Sequence, residues 1–153
     1  MTREICKEQT YEANRALVDA GLVLLTWGNA SVRCSEEPVM AIKPGGVAYA
    51  DLHPDTMVLV SIETGDVIDS ELVPSSDTAT HLEIYRAFPG VQAIVHTHSA
   101  KAVAWAQARR DIPILGTTHA DHFRHFVPVA RPMTETEVES EYEKNTGRVI
   151  VET

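Results

Sequence analysis

Basic residues are scarce. Thirteen lysines and arginines stand against 22 aspartates and glutamates, a formal net charge of −9 over 153 residues. The acidic residues are scattered rather than blocked, so the chain offers no basic face to a nucleic acid. A small anionic ligand remains compatible with that charge, because backbone N–H groups and one lysine can hold a phosphate locally. Cysteine is nearly absent as well: Cys6 and Cys34 lack metal or redox spacing, and they read as reduced thiols in a cytoplasmic protein. Long apolar runs are missing. Met1 to Thr10 carry both charge signs and no apolar stretch, which argues against a secretory leader, and no segment approaches the length of a membrane span. Internal repeats and low-complexity tracts are also lacking.

What is present suits a globular domain. Hydrophobic residues make up 44% and charged residues 23% of the chain, enough to build one domain, or a large piece of one, with a real core. Good helix formers fill Thr2 to Ala20, with Gly21 as a C-cap. Leu22 to Leu25 reads as a short buried strand, broken at Thr26-Trp27-Gly28-Asn29 and resumed from Ala30 to Arg33. Further strands are expected at Val39 to Ile42, at Met57 to Ile62 with a hairpin partner at Asp66 to Ile68, and at Val91 to His98. Helices are expected from Thr78 to Phe88, with Leu82 and Tyr85 facing inward, and from Ser99 to about Arg109. Thr134 and Glu137 form a capping box for a last helix closed near Gly147, after which Arg148 to Val151 begins another strand. The strands follow one another through tight turns. This predicts a mixed α/β domain spanning 1–153, a mostly antiparallel central sheet flanked by helices, incomplete at its C-terminus.

Histidine is the abundant functional residue. There are seven, five of them between His96 and His125. In a strand, residues i and i+2 share a face, so the imidazoles of His96 and His98 can converge on one ion. Two histidines on a half-buried strand can also make ordinary hydrogen bonds; their place at the C-terminal mouth of an apolar strand favours a ligand pair. Asp77 opens a helix and serves either as a plain N-cap or as a third ligand or base. Ser75, Ser76, Asn29, Lys43 and the Gly45-Gly46 turn carry hydroxyls, amides, flexible backbone and one cation, the parts of a phosphate cradle, although Gly and Asn alone also make turns. Asp121, beside His119 and His122, is an acid/base candidate in what is otherwise a solvated loop.

Read together, these motifs resemble a known family. Leu24-Leu25-Thr26-Trp27-Gly28-Asn29, Ile42-Lys43-Pro44, Pro74-Ser75-Ser76-Asp77-Thr78, Ile94-Val95-His96-Thr97-His98-Ser99, Gly116-Thr117-Thr118-His119-Ala120-Asp121 and Thr146-Gly147-Arg148-Val149-Ile150-Val151 occur in this order. The pattern resembles the L-ribulose-5-phosphate 4-epimerase family of the class II aldolase/adducin superfamily, over nearly the whole chain. The resemblance implies a three-layer domain and a metal-dependent retro-aldol epimerisation of a phosphorylated ketopentose. It implies Asp77, His96 and His98 as ligands to zinc, with manganese and cobalt also suited to such a donor set. Asn29, Lys43, Gly45, Ser75 and Ser76 would bind the substrate, and Asp121 would be one of two acid/base groups. It further implies a cytoplasmic ring-shaped homotetramer with active sites between neighbouring subunits. A sugar-phosphate aldolase and an inactive fragment or interaction module of the same fold are the alternatives. The family pattern adds a third histidine ligand and a catalytic tyrosine from an adjacent subunit, neither of which falls within 153 residues. Two positions depart from it: Lys43-Pro44-Gly45-Gly46 replaces Lys-Pro-Ser-Gly, and His122 stands where tyrosine is common.

Overall fold

The computed structural model describes the whole chain, Met1–Thr153. The first helix, α1 (Arg3–Asp19), starts where the Thr2 hydroxyl accepts from the Ile5 amide, an N-cap that satisfies one free donor of the first turn. It ends at Ala20, followed by Gly21 in the left-handed region at φ 66°, as expected of a C-terminal glycine. Four strands follow at intervals, β1 (Asn29–Arg33), β2 (Val39–Ile42), β3 (Val58–Ser61) and β4 (Ala93–His96), with helix α2 (Thr78–Ala87) between the last two. They form one sheet in the order β3-β2-β1-β4, with every neighbouring pair antiparallel.

Both faces of the central strands are buried, which explains why Val39 to Ile42 is a continuous apolar run rather than an alternating one. Val39, Ala41, Met57 and Leu59 pack with Cys6 of α1 on one side. Met40, Ile42, Val58 and Val60 pack with Leu82 and Tyr85 of α2 on the other. The expected antiparallel sheet flanked by helices is therefore the observed architecture. Asn14 pins α1 to the sheet at Ala30, accepting from its N–H at 2.9 Å and donating to its carbonyl at 3.0 Å.

Beyond β4 the chain forms α3 (Ala100–Gln107), α4 (Thr117–His122), α5 (Glu135–Glu139) and α6 (Tyr142–Glu152). The Thr134/Glu137 capping box is present at the start of α5. The hairpin partner of β3 survives as a single bridge between Val60 and Val67.

Two sequence expectations change. Leu22 to Leu25 is a loop, not a buried strand: Leu25 is 76% exposed with φ 56°. Both edges of β1 are already paired, by β2 and β4, so this apolar run cannot join the sheet beside β1. Arg148 to Val151 is not a strand either but the second half of α6. Its β-branched residues imitate a strand, yet Asn145 and Val149, one helical turn apart, are both buried and share a helix face.

Gly147 does not close that helix; it lets α6 press against α2. A β-carbon there would stand 2.8 Å from the Thr80 carbonyl oxygen and 2.8 Å from Glu83 Cβ. Gly147→Ala is therefore expected to destabilise the fold. Overpacking costs about 1–3 kcal/mol against a helix-propensity gain of roughly 1 kcal/mol. Because one clash is with backbone, we expect a net loss of about 1–2 kcal/mol, read as a fall in Tm by calorimetry. An unchanged or higher Tm would mean that the two helices do not meet at this glycine.

Candidate active site

A cleft of about 430 Å³ opens at the end of the sheet where β1 begins and β4 finishes. Register places its first two residues. Asn29 is the cross-strand partner of His96, so both lie on the α2 face of the sheet at the same end. The chain turns after His96 and brings His98 back, so that the two Nε2 atoms are 3.0 Å apart and the rings meet at 73°. The indole of Trp27 flanks His98 at 5.6 Å between ring centroids. Two nitrogens binding one tetrahedral ion at 2.0–2.1 Å would stand roughly 3.3–3.4 Å apart. The pair needs to open by only a few tenths of an ångström, so these imidazoles fit a divalent cation.

Asp77 also lines the cleft, but it is not the plain helix cap that its position allows. Its side chain makes no capping bond to α2. Instead the Asn29 amide donates to Asp77 Oδ2 at 2.6 Å and to Ser75 Oγ at 3.2 Å. No three histidine, cysteine or acidic side chains converge on a common point. The expected three-ligand set is thus assembled as the histidine pair, with the aspartate engaged by Asn29. Because Asn29 gives its amide hydrogens to Asp77 and Ser75, it holds the cleft wall, while its own Oδ1 is buried without a partner.

Lys43 is the unusual group. It lines the cleft yet is only 2% exposed, and no carboxylate pairs with it. Its ammonium donates to the carbonyls of Pro44 at 3.1 Å and Val47 at 3.0 Å and lies 4.9 Å from the centre of the Tyr49 ring. Burial lowers its pKa from the ordinary lysine value. A buried cation balanced only by dipoles and a π-face is set to receive an anion. The surrounding loops are stitched together, with the Gly45 N–H donating to Val73 and the Ser75 N–H to the Lys43 carbonyl. A β-carbon at Gly45 would approach the Pro74 carbonyl oxygen at 3.2 Å, so glycine keeps this junction tight. Ser75, Ser76 and Gly45 all border the cleft.

Eight of the nine residues singled out from the sequence therefore meet in one place. The exception is Asp121. It is exposed on α4 and does not line the cleft. Sequence reasoning also missed Thr80, Tyr142, Glu143 and Thr146, which line the cleft as well. The start of α6 is brought there by its packing on α2, where Thr80 Oγ1 donates to the Glu143 carbonyl at 2.6 Å. No local pattern announces such a long-range approach.

The fold is thus an antiparallel sheet between helices, with a histidine pair and a lysine-bearing cradle at one end. The chain belongs to the family of the Class II Aldolase and Adducin N-terminal domain, which it matches over residues 8–153. Among solved structures it is similar to an L-fuculose 1-phosphate aldolase, with TM-score 0.77 and 28% identity over 94% of this chain and 67% of that one. It is also similar to the L-fuculose-1-phosphate aldolase of Thermus thermophilus, with TM-score 0.71 and 28% identity over 98% of this chain and 71% of that one. For the L-fuculose 1-phosphate aldolase of Glaciozyma antarctica the TM-score is 0.64 and the identity 28%, over 73% of this chain and 47% of that one. The chain thus spans between about half and seven tenths of the length of these relatives. No helix is long and apolar enough to cross a membrane.

Proposed function

We propose that this chain carries the cation- and substrate-binding part of an enzyme that breaks and remakes a carbon–carbon bond in a phosphorylated ketose. The particular reaction is the epimerisation of L-ribulose 5-phosphate to D-xylulose 5-phosphate. The observation that carries this reading is the presence, in one cleft, of the paired His96 and His98 nitrogens and a buried lysine without a carboxylate partner. Class II aldolases are generally divalent-metal dependent. Here His96 and His98 would hold the cation, zinc being the natural choice for imidazole donors, with Asp77 as third donor. When bound, the cation supplies Lewis-acid polarisation of the ketose carbonyl.

The chain's own residues do the rest. Lys43 and the hydroxyls of Ser75 and Ser76 bind the phosphate, with backbone approach permitted at Gly45. A base removes the C4 hydroxyl proton and the C3–C4 bond breaks, leaving an enediolate and glycolaldehyde phosphate. With the phosphate still anchored at Lys43, the aldehyde rotates, presents its other face and is re-added with C4 inverted. Asp121 is the acid/base group for one face. Since it lies outside its own cleft, it serves the cleft of another copy in a homo-oligomer, the tetramer of the family resemblance. The epimerase outcome rests on the Thr26-Trp27-Gly28-Asn29 and Thr118-His119-Ala120-Asp121 segments; similarity to L-fuculose 1-phosphate aldolases favours an aldolase as the second reading.

Product analysis decides. With L-ribulose 5-phosphate and zinc, the epimerase yields D-xylulose 5-phosphate without free aldehyde, whereas an aldolase accumulates glycolaldehyde phosphate. Neither product, from protein that binds zinc, would point to a binding module and end the enzymatic reading. Asp121→Asn is expected to lower turnover by about 10²–10⁴-fold, the range for a lost general acid/base, with zinc content unchanged. Undiminished turnover would remove Asp121 from the mechanism.

A further inference from the structure

The α2 face of β1 carries a run of polar residues where a core would ordinarily be apolar. Asn29, Ser31 and Arg33 alternate onto this face. Opposite them, Asp77, His81 and Tyr85 lie along one stripe of α2 at intervals of four. The two rows are joined rung by rung. Asn29 donates to Asp77 at 2.6 Å. Ser31 Oγ lies 2.7 Å from His81 Nδ1 and 2.9 Å from the Tyr85 hydroxyl, which also donates to the Ser31 carbonyl at 3.0 Å. Arg33 donates to the carbonyl of Tyr85 and stacks over its ring at 4.8 Å.

The spacing is what permits a ladder. Two residues of strand advance about 6.6–6.8 Å and four residues of helix about 6 Å, so successive rungs stay nearly in step. Slipping α2 along β1 by one helical residue would break every rung at once. The outermost rung is the Asn29–Asp77 contact at the cleft; the next one in is Ser31–His81.

We propose that His81 is a positioning residue: bonded to Ser31, it locks the offset between α2 and β1 and so holds Asp77 in the cleft against Asn29. His81 does not line the cleft and touches no substrate. It is 1% exposed, and burial pushes its pKa down to about 4, so the ring is neutral and serves as a fixed hydrogen-bonding strut. The Tyr85 hydroxyl, pushed up to about 12 mainly by burial, is likewise a neutral rung. If His81 only filled space, a leucine would hold Asp77 in the cleft as well as the imidazole does. The consequence for metal binding rests on the reading of the cleft given above; the ladder itself does not.

The test uses the full chain with His81→Asn, His81→Gln and His81→Leu. Asparagine places a polar atom where Nδ1 was and can reach Ser31; glutamine places one near Nε2 and cannot. Hydrogen exchange of the Asn29 side-chain amide, followed by NMR without metal, reads the outermost rung directly. Exchange should accelerate at least tenfold in His81→Gln and His81→Leu and stay near wild type in His81→Asn. Zinc affinity by calorimetry should fall on the order of 10–100-fold in the same two variants, the usual effect of losing an outer-shell partner, and recover in His81→Asn. Wild-type exchange in His81→Leu, or equal acceleration in all three variants, would overturn the proposal. A wild-type chain that binds no zinc would instead overturn the reading of the cleft, while amide exchange would still decide the role of His81.

Discussion

Alanine in place of His98 is expected to abolish useful binding of a divalent cation. The two Nε2 atoms at 3.0 Å are the one preassembled donor pair in the cleft, and removing one leaves a single imidazole beside an aspartate already engaged by Asn29. Binding free energies of roughly 10–16 kcal/mol for four-ligand zinc sites correspond to about 3 kcal/mol per ligand, so the loss should reach about two orders of magnitude in affinity. Competition for zinc against a chromophoric chelator measures it directly. His125→Ala, an exposed histidine away from the cleft, is the control and should bind as wild type. Should His98→Ala retain wild-type affinity, the cation site lies elsewhere and the proposed chemistry loses its centre.

Lys43→Met should separate binding from stability. Lys43 is buried, its charge met by two carbonyls and a tyrosine face and by no carboxylate. Methionine keeps most of the aliphatic stem and removes the desolvated charge, so stability should hold or rise. The sign with pH agrees. A lysine whose folded pKa lies below its unfolded value opposes folding while charged in both states, and the opposition fades as pH rises from the folded pKa toward the unfolded value near 10.4. The stability gap between Lys43→Met and wild type should therefore narrow at alkaline pH. Affinity for a sugar phosphate should meanwhile fall at least tenfold, since a charge-assisted hydrogen bond to phosphate is lost from a buried site. Calorimetric titration with L-ribulose 5-phosphate and thermal denaturation at pH 7 and pH 10 read both quantities. Unimpaired affinity would mean that Lys43 does not meet the anion.

What was legible in the sequence was mostly local. Thr2 and Gly21 bracket α1, and the Thr134/Glu137 box starts α5, because caps are satisfied by residues three or four positions away. The misreadings at Leu22 to Leu25 and at Arg148 to Val151 share a cause: a short apolar run fits a strand or a buried helix face equally well until its neighbours are known.

The candidate site divides the same way. The chain by itself determined which chemistry is available: two histidines two residues apart at the end of an apolar strand, a serine–serine–aspartate helix entry and a lysine beside glycines. The tertiary structure decided how those groups are used. Strand register set Asn29 beside His96, the approach of α2 turned Asp77 from a cap into a partner of Asn29, and burial left Lys43 without a counter-ion. It also added Glu143 and Thr146 to the cleft wall and left Asp121 outside it. The physical reason is that a side chain's donors and acceptors are properties of its covalent structure, whereas its desolvation and its partners depend on residues as much as 120 positions away, the separation of Thr26 and Thr146 in the lining of one cleft.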